Sequence, residues 1–155
     1  MEPLDCNEVI RSVLNLLDAE IRRGEVRVST DLGKLPSVIG DRVQLQQVML
    51  NLIINAIDAM SAANRHANIL SILSSSDEGF VRVQVHDTGI GITTELASRI
   101  FNPFFTTKPD GIGMGLTISR SIIEAHGGSL WAAPGETGSV LSFTLPVAGE
   151  SDEAN

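Results

Sequence analysis

From Asp41 to about Met60 the sequence reads as one long helix that is apolar around most of its circumference. Val43, Leu50, Ile53, Ile54 and Ile57 cover it broadly. Asn51 and Asn55, four residues apart, project from a single face, with Asp41, Gln44, Val48 and Asp58 near the same line. Two amides inside so apolar a helix are costly unless their oxygens meet partners. The chain must therefore bring polar groups or a ligand to this face. Hydrogen bonds to a neighbouring loop would satisfy the pair. A hard cation that also holds phosphates would do so too, because Mg²⁺ takes one or two protein ligands and draws the rest from water and substrate.

Strands surround this helix. Val26–Thr30 alternates with period two and is expected at a sheet edge, and Leu35–Gly40 reads as a short extended link. Ala67–Ser75 and Gly79–Asp87 read as a hairpin about the Asp77-Glu78-Gly79 turn. Ser129–Ala133 and Ser139–Pro146 are two further strands. A first helix is expected over Asp5–Arg23, with Asp5 as N-cap, Glu8 three residues on and Gly24 as the stop. Another runs from Leu116 to Ala125 and closes at Gly127-Gly128.

The segment Thr88–Gly115 differs. It holds five of the fourteen glycines, two of the six prolines and three of the five phenylalanines, and reads as a long mobile loop with a short helix over Glu95–Ile100. Loops of that length are uncommon unless they act as functional lids.

Composition narrows the classes of function. With 155 residues, 43% hydrophobic and 19% charged, the chain has the make-up of one folded domain. A net charge of −8 opposes binding to nucleic acid or to an anionic membrane surface. The longest apolar stretch, Val48–Met60, is broken by Asn51, Asn55 and Asp58, so no membrane span is expected. Met1–Asp5 lacks the regions of a signal peptide. The single Cys6 fits a reducing cytosol, and residues 148–155 read as a disordered acidic tail.

Two motifs beside the long helix carry further chemistry. In Asp87-Thr88-Gly89-Ile90-Gly91-Ile92, a carboxylate at a strand end suits an exocyclic amine, and the glycines admit a ligand close to the backbone. The same letters also start ordinary turns. In Gly111-Ile112-Gly113-Met114-Gly115-Leu116, backbone N–H groups ahead of a helix form an anion site suited to a polyphosphate, although a hinge reading fits equally. Neither Lys34 nor Lys108 precedes Ser or Thr, so no Walker A sequence occurs.

Taken in order, these elements resemble the ATP-binding catalytic domain of sensor histidine kinases, in the gyrase, Hsp90, histidine kinase and MutL ATPase superfamily. Asp41-x-x-Gln44-Leu45-x-x-Val48-x-x-Asn51-Leu52-x-x-Asn55-Ala56 matches the N-box, and Asp87-x-Gly89-x-Gly91-Ile92 the G1 box. Phe101-Asn102-Pro103-Phe104-Phe105-Thr106-Thr107-Lys108 matches the F-box, and Gly111-x-Gly113-x-Gly115-Leu116 the G2 box. The match covers Pro36 to Pro146. The wording Phe-Thr-Thr-Lys-Pro and Glu-Ala-His-Gly-Gly is most similar to PAS-linked sensor kinases.

The resemblance implies an α/β two-layer sandwich of the Bergerat type, a mixed sheet covered on one face by three helices. It implies a catalytic domain over residues 1–147, in which residues 1–24 hold the connecting first helix. It implies ATP and Mg²⁺ as cofactors, with Asn55 as the metal ligand and Asn51 near the phosphates. Asp87 would receive the adenine amine with Ser139 nearby, and Gly89, Gly91 and Ile92 would line the adenine side. Gly111, Gly113, Met114, Gly115 and Leu116 would face the phosphates. Thr107 and Lys108 would sit in the lid, which Phe101, Phe104 and Phe105 would anchor, with Lys108 reaching the phosphates as a point charge.

Two departures from the pattern stand out. Where many relatives carry a basic residue one turn after the second asparagine, this chain has Asp58. None of His66, His86 and His126 has the setting of a phosphoacceptor; His126 ends a helix, where a cation suits the dipole. The implied activity is thus γ-phosphoryl transfer to a histidine on a separate dimerisation domain, followed by a response regulator, in the cytoplasm. The isolated domain is expected to be a monomer, with no nucleic-acid or direct membrane contact. The competing readings are a superfamily ATPase that drives conformational change, disfavoured by Asn51 where those enzymes place a glutamate, and a non-catalytic nucleotide-binding module.

Overall fold

The computed structural model describes residues 1–63, 67–102 and 115–148. Its centre is a five-stranded mixed sheet in the order β2-β4-β5-β7-β6. The strands are β2 (Val26–Leu32), β4 (Asn68–Asp77), β5 (Phe80–His86), β6 (Ser129–Pro134) and β7 (Ser139–Pro146). β2 lies at the edge, as its alternation predicts, and runs parallel to β4; every other neighbouring pair is antiparallel. The β4–β5 hairpin closes with Asp77 opposite Phe80. Glu78 and Gly79 between them have φ of 47° and 86°, the double left-handed geometry that matches strand twist.

Period-two alternation sends Leu70 and Ile72, Val81, Val83 and Val85, and Leu141, Phe143 and Leu145 to one buried face. The helices α1 (Cys6–Leu16), α3 (Arg42–Ala63) and α5 (Gly115–Ala125) cover it. This is the expected two-layer α/β sandwich. From α3 the face of Leu45, Val48, Met49, Leu52, Ile53, Ala56 and Met60 enters the core, and α1 adds Val9, Ile10 and Val13. On the opposite face of the sheet, the Arg82 guanidinium stacks 5.8 Å from the centre of the Trp131 ring.

Three details depart from the expectations. The first helix breaks at Leu17, whose ψ of 13° leaves the helical range, and α2 (Asp18–Arg23) follows. Leu16 stays 70% exposed while Leu17 is buried, so the break lets the chain bury one leucine of the pair. Gly24 stops the helix as expected, and the left-handed residue that follows it is Glu25 (φ 53°). The link before α3 contains β3 (Val38–Gly40), which pairs with β1 (Glu2–Leu4) in a small second sheet. The short helix expected over Glu95–Ile100 is α4 (Thr94–Ala97), capped by Thr93.

Caps and buried polar groups set the helices in place. Asp5 accepts from the Asn7 N–H, and Asp41 from the Gln44 N–H, both through Oδ1. Asn7 itself is buried. Its amide donates to the Gly33 carbonyl at 2.7 Å and accepts from the Ser74 hydroxyl at 2.8 Å, fixing α1 to the sheet. His126 is also buried, and its Nε2 accepts from the Asp41 N–H while its Nδ1 faces the Ile122 carbonyl. An accepting nitrogen means a neutral ring, so the cation expected at this helix end is replaced by a neutral tether. At the C-terminus, Val147 bridges to Val38 and the Ala148 N–H donates to the Ser37 carbonyl; residues 149–155 lie outside the described part.

Candidate functional site

Asn51, Asn55 and Ala59 follow one another at four-residue steps along one line of α3. At the first of them α5 begins: the Asn51 Nδ2 donates to the Gly115 carbonyl at 3.2 Å and to the Ser119 hydroxyl at 3.1 Å. At the third lies the loop that leaves β5, with the Ile90 N–H donating to the Ala59 carbonyl at 3.2 Å. A Cβ on Gly89 would come within 2.5 Å of the Ala59 backbone, so glycine is what allows this loop to seat on α3. Asn55 sits between the two ends, half-buried.

Asp87 closes the β5 end and is 5% exposed. Its Oδ1 accepts from the Gly89 N–H at 2.8 Å and, at 3.4 Å, from the Ser139 N–H. Its Oδ2 accepts from the Ser139 hydroxyl at 2.7 Å. The carboxylate is thus aligned by hydrogen bonds from two neighbours, and Oδ2 keeps acceptor capacity for one further donor. Thr88 fastens the same loop to β4, accepting from the Ile69 N–H and donating to the Ala67 carbonyl.

The first residues of the F-box are anchored on α5. Phe101 is buried, its carbonyl accepts from the Thr117 hydroxyl at 2.7 Å, and the Arg120 guanidinium lies 4.9 Å from its ring centre. Ile92 and Leu116 both pack, half-buried, against the core. Thr107, Lys108, Gly111, Gly113 and Met114, together with Phe104 and Phe105, lie outside the described residues.

The structure therefore brings Gly115 to Asn51 at one end of this stretch of α3 and Gly89 to Ala59 at the other, with Asn55 between; Asp87 and Ser139 pair beside Gly89, and Gly91 lies against Gly138. Residues that the sequence reading passed over complete the arrangement. A Cβ on Gly138 would meet the Asp87 carbonyl oxygen at 2.1 Å, so the turn before β7 needs a glycine to lie against Asp87. Its place next to Ser139 was the available signal. Ser119, Thr117 and Arg120 became visible only once α5 was laid against α3 and Phe101. Of the histidines, His86 ends β5 and His126 is the buried tether, while His66 lies outside the described residues.

The donor set suits a particular kind of cation. Among the described residues no group of three or more His, Cys, Asp or Glu could cage a metal. Two neutral amides on one helix face instead fit Mg²⁺ held mainly by phosphates and water, with one protein oxygen. Among the described residues, too, no helix is long and apolar enough to cross a membrane.

Comparison with known proteins identifies the family. Residues 40–149 match the family described as histidine kinase-, DNA gyrase B-, and HSP90-like ATPase. The chain is 42% identical to the sensor protein TdiS of Thauera aromatica over 94% of its length, and 42% identical to the sensor protein FixL of Bradyrhizobium diazoefficiens over 89%. It spans 27% of the length of each of these relatives. The catalytic domain of the histidine kinase ThkA superposes with a TM-score of 0.82 at 38% identity, covering 94% of this chain and 96% of that one. ThkA solved in complex with the response regulator protein TrrA gives a TM-score of 0.80 at 35% identity, over 96% of this chain and 42% of that one. The chain belongs to the histidine kinase-, DNA gyrase B- and HSP90-like ATPase family and, within it, to the catalytic domains of sensor histidine kinases.

Proposed function

We propose that this domain binds Mg·ATP along the Asn51–Asn55–Ala59 line of α3 and presents the γ-phosphoryl group to a histidine on a separate dimerisation domain. The observation that carries the reading is the placement of Asp87 and α5 at opposite ends of that line, with Asn55 between them. Asp87 Oδ2, with acceptor capacity left beside Ser139, receives the adenine amine, and Gly89, Gly91 and Ile92 line the base. Asn55 supplies the protein oxygen to Mg²⁺, and Gly115 and Leu116 open the helix end that faces the phosphates. Gly111, Gly113, Met114, Thr107 and Lys108 complete the phosphate side and the lid.

When bound, Mg²⁺ neutralises charge on the phosphates. The chain's own residues bind, orient and exclude water, and catalysis is mainly positioning. Asn51 has no carboxylate with which to activate water, so ATP persists until the acceptor histidine arrives. Residues 1–147 form the catalytic domain, with residues 1–24 linking it to the dimerisation helices. The parent protein is a longer sensor kinase with this domain in the cytoplasm, and its phosphohistidine passes the phosphoryl group to a response regulator. The complex of ThkA with TrrA supports that last partner.

The test is transfer of labelled γ-phosphate from ATP to a purified histidine-containing dimerisation domain, with and without EDTA. The expected result is a metal-dependent, acid-labile phosphoprotein. Binding that is equal without metal would remove the role given to Asn55. Rapid phosphate release by the domain alone would favour the ATPase alternative.

A further inference from the structure

The side chain of Asn51 spends both of its amide protons on α5. One goes to the Gly115 carbonyl and the other to the Ser119 hydroxyl. A carbonyl oxygen accepts and never donates, so the nitrogen end of the amide must face Gly115; turning it over would set oxygen against oxygen. What Asn51 has left to offer a ligand is therefore its carbonyl oxygen, an acceptor. A phosphate oxygen has no use for an acceptor, whereas a hydrated Mg²⁺ does. Ser119 is fully buried, sits one turn into α5 beyond Gly115, and lines no part of the proposed nucleotide site. Among the described residues its hydroxyl meets the Asn51 amide at 3.1 Å.

We propose that Ser119 is a positioning residue: together with the Gly115 carbonyl it locks the Asn51 amide so that Oδ1 is held out as an acceptor for Mg²⁺ or its bound water in the Mg·nucleotide complex. The proposal rests on the nucleotide reading above and adds to it a residue outside the four boxes.

The experiment uses the domain as it stands, with Ser119→Ala, Ser119→Thr and Asn51→Ala. In free protein, the Asn51 side-chain NH₂ resonances, assigned by their loss in Asn51→Ala, should be shifted and slow to exchange. Ser119→Ala should lose protection of one proton, and Ser119→Thr, which keeps the hydroxyl, should restore it. ADP affinity in Mg²⁺ should fall about 3- to 10-fold in Ser119→Ala, the worth of one net hydrogen bond, and should be unchanged in EDTA. In the Asn51→Ala background, Ser119→Ala should have no further effect. An equal loss with and without metal, or an undiminished loss in the Asn51→Ala background, would make Ser119 a packing residue and overturn the proposal. If wild-type domain bound no nucleotide at all, the proposed function would fail instead, while the amide signals of the free domain would still decide the role of Ser119.

Discussion

The Nε2 of His126 accepts the backbone N–H of Asp41 at 3.1 Å, joining the last turn of α5 to the N-cap of α3. Asn51 joins the same two helices at the other end, where α5 begins. The pair is antiparallel and α5 is bonded at both of its ends, so the helix that carries the proposed metal ligand and the helix proposed to face the phosphates are held in one register. Gly40 makes room for the ring: a Cβ there would lie 3.1 Å from His126 Cδ2 and 2.9 Å from Leu45 Cδ1. His126→Ala removes the acceptor from a part-buried N–H, and should cost about 1–3 kcal/mol in urea unfolding. Because Asp41 caps α3, amide exchange in the first turn of α3 should accelerate along with it. Unchanged stability would mean that water replaces the imidazole without loss.

Asp87→Asn keeps the shape of the carboxylate but turns one oxygen into a donor. The Ser139 hydroxyl and the Gly89 N–H both donate to Asp87 at present, so one of these contacts, or the proposed contact to adenine, must become donor against donor. Loss of a hydrogen bond to a charged acceptor is worth about 1.5–3 kcal/mol. ATP affinity by calorimetry should fall by that amount, with ATP and GTP becoming more alike. If the two nucleotides bind equally well before the substitution, Asp87 does not read the base.

Two glycines separate close approach from backbone conformation. Gly138 has no positive φ, but its Cβ would strike the Asp87 carbonyl oxygen and, at 2.6 Å, Asp87 Oδ1. Gly79 has φ 86° and open space around it. Gly79→Ala should therefore cost only left-handed strain, about 1–2 kcal/mol, and leave nucleotide affinity alone. Gly138→Ala should destabilise by a comparable about 1–3 kcal/mol through overpacking and should also weaken ATP binding, because the atoms it displaces belong to Asp87. Unfolding and binding measured on both variants separate the two effects; a Gly138→Ala domain with native affinity would detach this turn from the site.

Much of this arrangement was legible in the sequence because it rests on local chemistry. Asp41 as N-cap, the Asp77–Gly79 turn and the polar line through Asn51 and Asn55 each follow from residues within one turn or hairpin. The β1–β3 pair was not legible. Each strand has three residues, β1 contains Pro3, and neither forms without the other. The break at Leu17 depends on which leucine the core admits, and no local pattern marks Glu25 for a left-handed backbone. Within the site, Asp87 and Ser139 were readable as a pair only through the resemblance, since 52 residues separate them. Ser119 and His126 escaped for the same reason: their partners are set by the register of α5 on α3, which no local pattern encodes.

Cys6 supplies a pH dependence whose sign can be worked out. Burial, reinforced by the neighbouring Asp5 carboxylate, pushes its thiol from 9.0 up to about 12. The unfolded chain, with an ordinary thiol, loses this proton first as pH rises. Between about pH 9 and pH 12 the folded state therefore binds more protons than the unfolded one, and stability falls as pH increases. Below pH 9 both states are protonated and the thiol contributes no slope. The effect is bounded by one proton, about 1.4 kcal/mol per pH unit. Wild type and Cys6→Ala should accordingly show parallel stability curves from pH 6 to pH 8.5 in urea titrations, offset by the packing lost from the small apolar space that Cys6 shares with Val9, Ile10, Leu45 and Met49. Above pH 9 wild type alone should gain an added downward slope, so the two curves converge. Iodoacetamide at pH 8 should label Cys6 only as fast as the domain opens. Rapid labelling of folded protein, or curves that stay parallel to pH 10.5, would mean that the thiol is reached by solvent.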